Sequence, residues 1–255
     1  MIDKTAIINK NAKVHSSVKI GPYTIVGPNV EIGENTEIQS HVSITGNTKI
    51  GKGNKIYPFV SINDPQDLKY NGEETSLVIG DNNKIREYVT INPGTIGGGG
   101  KTVIGNNCLF MISSHIAHDC VLGNDIVLTN QAALAGSVHV GDGAILGGYA
   151  IVHQFCSLGS YSFCAMGSAV NKDIPAYVKV RGNPAKPFGI NVTGIKRLGY
   201  SKESIEALRS AYRSIYRKKL TVEEAIEELK GLRKEYEEVD LFLNSIEKST
   251  RGISR

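Results

Sequence analysis

Aliphatic residues recur at every sixth position along most of this sequence, and this repeat limits the possible folds more than any other feature. The first run has no gap and contains Ile2, Ile8, Val14, Ile20, Val26, Ile32, Ile38, Ile44, Ile50, Ile56 and Ile62. The repeat returns at Ile79, Ile85 and Ile91, and then continues from Ile104 to Val170. A period of six does not fit an α-helix, but it is a multiple of the strand period of two. Each six-residue unit is therefore predicted to be a short strand followed by a corner.

Two interruptions of the repeat, residues 63–78 and 92–103, are predicted to leave the solenoid as loops. The aliphatic residues at every sixth position are called the column residues below. Glycine directly follows many of them, as at Gly21, Gly33 and Gly105, where it relieves backbone strain near a bend. Loops on a rigid scaffold commonly carry binding and catalytic residues. The two interruptions are therefore the first places to look for a site.

This pattern resembles the hexapeptide-repeat family, whose members are left-handed parallel β-helices with three six-residue units in each triangular coil. The resemblance implies an all-β solenoid, and the 26 column positions would then form eight to nine coils. We expect two parts: a β-helix over residues 1–186, including both loops, and a C-terminal helical domain over residues 187–255. The helical domain would cover the apolar open end that a solenoid otherwise exposes.

The C-terminal part shows helical rather than six-residue periodicity. Its apolar residues at helical spacing are Ile205, Leu208, Tyr212 and Ile215 between Ser201 and Lys219, Ile226 and Leu229 in a second segment, and Val239, Leu243 and Ile246 in a third. The second segment opens with Thr221 and Glu224, which match a capping box. Three helices are therefore predicted.

The charges are unevenly distributed along the 255 residues. The net charge is +4 in total, but it is −2 over residues 1–178, +9 over 179–219 and −3 over 220–255. The basic segment predicts an anionic partner, either nucleic acid, a phosphorylated metabolite or an acidic protein. The sequence has no signal peptide or apolar run long enough to span a membrane, so we expect a cytoplasmic chain without stable membrane insertion. Its four cysteines lack the paired spacing of zinc sites and are expected to be free packing residues.

A coil of three units predicts which side chains lie above one another. His118, Gly136 and Gln154 follow one another at intervals of one full coil, so His118 should lie one coil below a glycine. An imidazole beside an exposed backbone N–H is the layout of an acyl transfer site, in which the imidazole accepts a proton and the N–H binds the oxyanion. The alternative is a histidine that only packs on a solenoid face. Zinc binding by His115, His118 and Cys120 within one chain is disfavoured, because residues three apart on a strand face opposite sides.

Five separated motifs occur in order along the chain: residues 66–70 (QDLKY), 115–120 (HIAHDC), 134–136 (LAG), 152–155 (VHQF) and 249–253 (STRGI). They resemble the motifs of the UDP-N-acetylglucosamine O-acyltransferase family, whose members catalyse the first step of lipid A biosynthesis. The resemblance covers essentially the whole chain. It implies a cytoplasmic homotrimer that moves a 3-hydroxyacyl group from acyl carrier protein to the 3-hydroxyl of UDP-N-acetylglucosamine. It implies no metal, no cofactor and no nucleic acid, and it assigns the basic segment to acyl carrier protein and the nucleotide.

The resemblance also implies roles for individual residues. The catalytic base would be His118, the oxyanion amide that of Gly136, and the group that orients the imidazole Asp119. The substrate-binding residues would be Asp67, Lys69, His115, His153, Gln154, Asn191 and Arg197. Met166 lies one coil after Gly148 in the sequence and would act as an acyl-chain ruler, unless its role is ordinary packing.

Three departures from the family pattern put individual contacts in doubt. Ser137, Leu198 and Pro184 stand where the family often has His, Arg and His, and the contacts affected are those to the pyrophosphate and the sugar. A 3-amino sugar acceptor stays possible. Three further functions stay open for such a solenoid: the related hexapeptide N-acyltransferase, which has an extra N-terminal domain, a zinc lyase of the carbonic-anhydrase type, and a non-catalytic structural protein.

Overall fold

A computed structural model describes residues 1–66, 68 and 70–255. Within these residues the short strands form three sheets that enclose a triangular prism, and each sheet receives one strand per coil. Sheet I contains β1 (Ile7–Ile8), β4 (Ile25–Val26), β7 (Ser43–Ile44), β10 (Ser61–Ile62), β13 (Thr90–Ile91), β16 (His115–Ile116), β19 (Ala133–Leu134), β22 (Ile151–Val152) and β25 (Ala169–Val170).

Sheet II contains β2 (Lys13–Val14), β5 (Val30–Ile32), β8 (Asn47–Ile50), β11 (Ser76–Ile79), β14 (Lys101–Ile104), β17 (Val121–Leu122), β20 (His139–Val140) and β23 (Ser157–Leu158). Sheet III contains β3 (Lys19–Ile20), β6 (Glu37–Ile38), β9 (Lys55–Ile56), β12 (Lys84–Ile85), β15 (Leu109–Phe110), β18 (Val127–Leu128), β21 (Ile145–Leu146), β24 (Phe163–Cys164), β26 (Val178–Arg181) and β27 (Lys186–Ile190).

The aliphatic column fills the prism as the repeat predicts. Ile44, Ile62, Ile91, Ile116 and Leu134 are fully buried, and each is paired in parallel register with its equivalent in the next coil. Burying one such side chain contributes about 1.5–3 kcal/mol, so the column as a whole drives the coiling. Outward-facing residues alternate with the buried ones, which leaves three solvent-facing surfaces.

Both predicted loops end earlier than the sequence suggested. Strand β11 already begins at Ser76 and β14 at Lys101, and the two strands pair along their whole length. Leu77 and Thr102, two residues before the column positions, are fully buried as well. The six-residue repeat identifies only the last residue of each of these four-residue strands. The first three residues of each strand therefore fell within the predicted loops.

The C-terminal part begins with an antiparallel hairpin of β26 and β27, and β27 begins at residue 186, the predicted end of the β-helix. The helices that follow are α1 (Val192–Arg197), α2 (Lys202–Arg217), α3 (Val222–Glu228), α4 (Lys230–Glu235) and α5 (Glu237–Glu247). The capping box of Thr221 and Glu224 is present. Helices α2, α3 and α5 match the three predicted segments, whereas the short α1 and α4 were not foreseen.

Hydrogen bonds to Asp173 hold the C-terminal segment against the last coil. This residue is 2% exposed, and its Oδ2 accepts hydrogen bonds from Ser249 Oγ at 2.7 Å and from the N–H groups of Thr250 and Arg251. Its Oδ1 accepts from the Ser157 N–H at 2.7 Å. The C-terminal STRGI motif therefore lies against the solenoid.

Candidate functional site

A histidine and a buried carboxylate form a pair at the corner that follows β16. His118 Nδ1 lies 2.8 Å from Asp119 Oδ2, and the His118 side chain is 39% exposed whereas that of Asp119 is fully buried. Because a carboxylate only accepts hydrogen bonds, the neutral form of the His118 ring carries its proton on Nδ1 and presents the lone pair of Nε2. The corner thus holds an imidazole in the tautomer that a general base requires.

The second loop buries the Asp119 carboxylate. The Thr95 N–H donates to Oδ1 at 2.8 Å, and the Thr95 hydroxyl donates to Oδ2 at 2.6 Å. The Asp119 N–H in turn donates to Thr102 Oγ1 at 2.8 Å, and Asp119 has a left-handed φ of 59°. Asp119 is therefore fixed both at its backbone and at its side chain. Thr95 and Thr102 were not predicted as site residues, because neither is separated from the site by a whole coil.

Gly136 lies over the His118 ring, as the coil length predicts. A Cβ added to Gly136 would lie 2.5 Å from Nε2 and 3.0 Å from Nδ1 of His118, and nearer still to Cε1. Any other residue at position 136 would have to displace the ring. Among the described residues the Gly136 N–H has no hydrogen-bond acceptor, and Ser137 donates instead to the His118 carbonyl at 2.9 Å. The site thus combines an imidazole and an unpaired backbone donor.

His115 lies on strand β16, three residues before His118, and faces outward on sheet I. Its Nδ1 is 2.7 Å from Thr90 Oγ1 in the coil below. Burial lowers the pKa of His115, and the neighbouring His118 lowers it further. His115 is therefore neutral at neutral pH and is suited to hydrogen bonding rather than to carrying charge.

An apolar groove of about 460 Å³ runs from His115 along sheet I towards the end of the solenoid. It is lined by residues of four successive strands of sheet I, by the residues that directly follow three of them, and by one residue of the turn between β26 and β27: His115, Ala133, Leu134, Ala135, Ile151, Val152, His153, Ala169, Val170, Asn171 and Asn183. The small alanines Ala133 and Ala169 leave the groove open, while Ile151 supplies apolar surface. Its shape and composition suit a linear hydrocarbon chain.

The structure places three of the other predicted site residues at corners near the groove. His153 and Gln154 are exposed at the corner above Gly136, and His153 Nδ1 is 3.1 Å from the Gln154 carbonyl oxygen. Met166 is 77% exposed at a further corner, and no atom of it lies within 4 Å of where a Gly148 Cβ would be. Of these three residues, His153 lines the groove, whereas Gln154 and Met166 are not part of its lining.

Asn191 and Arg197 lie at opposite ends of helix α1, beyond the last coil. Asn191 is 8% exposed, and its side chain caps the helix by accepting from the Gly194 N–H at 3.0 Å and donating to the Tyr161 carbonyl at 3.0 Å. Arg197 is exposed. Asp67 and Lys69, predicted to contact a sugar, lie outside the described residues.

A basic cavity of about 660 Å³ adjoins the groove at Asn183. Arg181, Lys186 and Arg217 line it, and no acidic side chain is part of its lining. The guanidinium of Arg181 also lies over the Phe188 ring, 5.1 Å from its centroid. This basic cavity is a favourable place for an anionic group.

Within the described ranges, no three His, Cys, Asp or Glu side chains are grouped so that they could hold a metal ion. None of the helices described there combines the length and apolar character needed to cross a bilayer.

Family models match both parts of the chain. The model described as "Udp N-acetylglucosamine O-acyltransferase; Domain 2" matches residues 173–254, and the bacterial transferase hexapeptide model matches residues 11–46 and 29–64. A curated relative from Stutzerimonas stutzeri, named acyl-[acyl-carrier-protein]–UDP-N-acetylglucosamine O-acyltransferase, is 53% identical over 82% of both chains.

Solved structures are similar over the whole chain. A UDP-N-acetylglucosamine O-acyltransferase from Moraxella catarrhalis is 49% identical with a TM-score of 0.97, and covers 100% of this chain and 99% of its own. The Francisella novicida UDP-N-acetylglucosamine acyltransferase is 44% identical, also with a TM-score of 0.97, over 100% and 94% of the two chains. With the three parallel sheets, these matches confirm the predicted fold, a left-handed parallel β-helix with a C-terminal helical region.

Proposed function

Because the chain belongs to the UDP-N-acetylglucosamine O-acyltransferase family, we propose that it transfers a 3-hydroxyacyl group from acyl carrier protein to the 3-hydroxyl of UDP-N-acetylglucosamine. This reaction would be the first step of lipid A biosynthesis. The observation that carries the proposal is the His118 imidazole, oriented by Asp119 and lying directly beneath the side-chain-free Gly136.

In the proposed reaction, Nε2 of His118 removes the proton from the sugar 3-hydroxyl as its oxygen attacks the thioester carbonyl carbon. The negative charge that develops on the carbonyl oxygen is stabilised by the Gly136 N–H. Asp119 stabilises the imidazolium that forms. The tetrahedral intermediate then collapses, the carbon–sulfur bond breaks, and the imidazolium returns its proton to the leaving thiolate. No metal or cofactor takes part, because the thioester is already activated.

The apolar groove is proposed to hold the acyl chain. It begins at His115, next to the reacting groups, and seven of its eleven lining residues are aliphatic. Met166 is not among the residues that line this groove, and its side chain is 77% exposed. Its proposed role as the ruler therefore rests on the family resemblance, with a preference for chains of medium length.

Anionic parts of the two substrates are assigned to the basic C-terminal end. The basic cavity of Arg181, Lys186 and Arg217 is free of acidic side chains and is proposed to face the acidic acyl carrier protein. Arg197 is proposed to contact the nucleotide phosphates, and Asp67, Lys69, Gln154 and His153 the sugar. The side chain of Asn191 is engaged in the helix cap, so its proposed contact to the nucleotide would need its remaining hydrogen-bonding capacity.

A homotrimer is proposed because the family resemblance implies one, and the apolar surface that a single chain leaves exposed supports self-association. On sheet I, Ile7 is 65%, Ile25 45% and Ile151 53% exposed. An adjoining column of rings, Tyr23, His41, Phe59 and Tyr88, is stacked at spacings of 5.1 Å along one edge of the prism. Apolar patches of this kind usually mark interfaces. A neighbouring copy would cover the exposed side of His118. The assembled enzyme is proposed to act in the cytoplasm.

The test is to incubate the protein with UDP-N-acetylglucosamine and a set of 3-hydroxyacyl carrier proteins of different lengths, and to determine the product by mass spectrometry. The expected product is the sugar nucleotide carrying one 3-hydroxyacyl ester. Exclusive transfer to a 3-amino analogue of the sugar would show that the acceptor is different. No transfer to either acceptor would refute the proposed function.

A further inference from the structure

Thr95 belongs to the second loop, outside the repeat, and its contacts converge on the Asp119 carboxylate. Its N–H and its hydroxyl donate to the two oxygens of that carboxylate, at 2.8 and 2.6 Å. The same Oδ2 atom that accepts from the Thr95 hydroxyl also lies 2.8 Å from His118 Nδ1. Thr95 and His118 therefore share one acceptor atom.

The loop is shaped to make this contact. Thr95 caps the 3₁₀ turn η1 (Ile96–Gly98) and accepts a hydrogen bond from the Gly98 N–H at 3.2 Å. A Cβ on Gly98 would overlap the Asp119 carboxylate, so only glycine lets the turn lie this close to it. The Gly100 N–H donates to the Thr95 carbonyl at 2.7 Å, which closes the loop before β14 begins. Asp119 would lie at an open corner without this loop.

We propose that Thr95 is a positioning residue for the His118–Asp119 pair, a role that rests on the proposed function of that pair. The hydroxyl holds the carboxylate at the angle at which Oδ2 accepts from His118 Nδ1, and so keeps Nε2 directed at the sugar hydroxyl. A carboxylate that accepts fewer hydrogen bonds can rotate away from the imidazole. Thr95 acts only through Asp119 and does not touch the reacting atoms.

The test compares Thr95→Val, which removes the hydroxyl but keeps the shape and the N–H, with Thr95→Ser, which keeps the hydroxyl. Since a hydrogen bond to a charged group is involved, kcat of Thr95→Val is expected to fall about 10- to 100-fold with little change in either KM. Thr95→Ser should retain most of the wild-type kcat. Thr95→Ala provides a second hydroxyl-free variant should the valine disturb the loop.

A double-mutant cycle separates positioning from general stabilisation. In an Asp119→Ala background, Thr95→Val should cause no further loss, because its only route to the reaction has been removed. The matched control is Thr36→Val, which removes the hydroxyl of a buried threonine that donates to the Gly51 carbonyl, far along the solenoid from the site. It should keep the wild-type kcat.

A Thr95→Val enzyme with wild-type kcat, a serine variant as impaired as the valine variant, or additive losses with Asp119→Ala would each overturn the inference. These results are distinct from failure of the proposed function. In that case the wild-type protein itself would transfer no acyl group; transfer at the wild-type rate by His118→Ala and Asp119→Ala would instead refute the catalytic roles of the pair.

Discussion

The His118 ring occupies the space that a side chain at Gly136 would fill, one coil above it. Gly136 therefore has two effects at once. It leaves room for the imidazole, and it exposes a backbone N–H beside it. Any other residue type at position 136 would displace the His118 ring.

Gly136→Ala is the direct test of this relationship. The new Cβ would meet the His118 ring at 2.5 Å from Nε2, so the ring must shift. Misplacing a general base removes most of its contribution, and we expect kcat to fall about 100-fold or more. Gly231→Ala is the matched control, because no atom lies within 4 Å of its Cβ position in helix α4. Equal kcat values for the two variants would disprove the steric argument.

Met166→Gly should change the preferred acyl chain. The wild type is expected to favour a chain of about ten carbons over one of about fourteen, and the glycine variant should reverse this order, since each newly buried methylene contributes about 0.8 kcal/mol. Acyl carrier proteins that carry the shorter and the longer chain are offered to each enzyme in direct competition. Met166→Leu, of similar volume, should keep the wild-type preference. An unchanged preference in the glycine variant would leave Met166 as an ordinary surface residue.

Reversing the charges of the basic cavity should weaken the interaction with acyl carrier protein. Arg181, Lys186 and Arg217 changed together to Glu are expected to raise the KM for acyl carrier protein roughly 10-fold at low salt, and the difference should shrink as salt screens the charges. Lys4, Lys10 and Lys52 changed together to Glu alter the net charge equally on the exposed N-terminal coils. If this control raised the KM as much as the cavity variant, the effect would be one of net charge alone.

The four cysteines should be inert in the native protein. Burial raises the pKa of Cys108 and Cys156 to about 11 and that of Cys120 and Cys164 to about 12. A raised pKa favours the neutral thiol, so below about pH 9 almost no reactive thiolate is present. A thiol reagent at about pH 8 should therefore modify none of them until the protein is unfolded, and transfer activity should be unaffected. Rapid loss of activity on modification would indicate an accessible, functional thiol.

The main features of the fold could be predicted because burial repeats with a fixed period. Each column position from Ile20 to Val170 is an independent signal for the same prism, and the stacking of His118 under Gly136 follows directly from the coil length. Thr95 could not be found in this way. It reaches Asp119 from a loop whose path is set by glycines and hydrogen bonds rather than by periodicity. The helical cap of Asn191 was missed for a related reason, because an asparagine before a helix fits both a cap and a ligand contact.

The most direct test of the catalytic assignment is the rate of 3-hydroxyacyl transfer by His118→Ala compared with wild type, measured on folded protein of the same oligomeric state. Loss of a general base is commonly worth about 10²- to 10⁴-fold, and a loss of that size in kcat with an unchanged thermal melting profile is the predicted result. A His118→Ala enzyme that retained half of the wild-type turnover would contradict the assignment of the catalytic base.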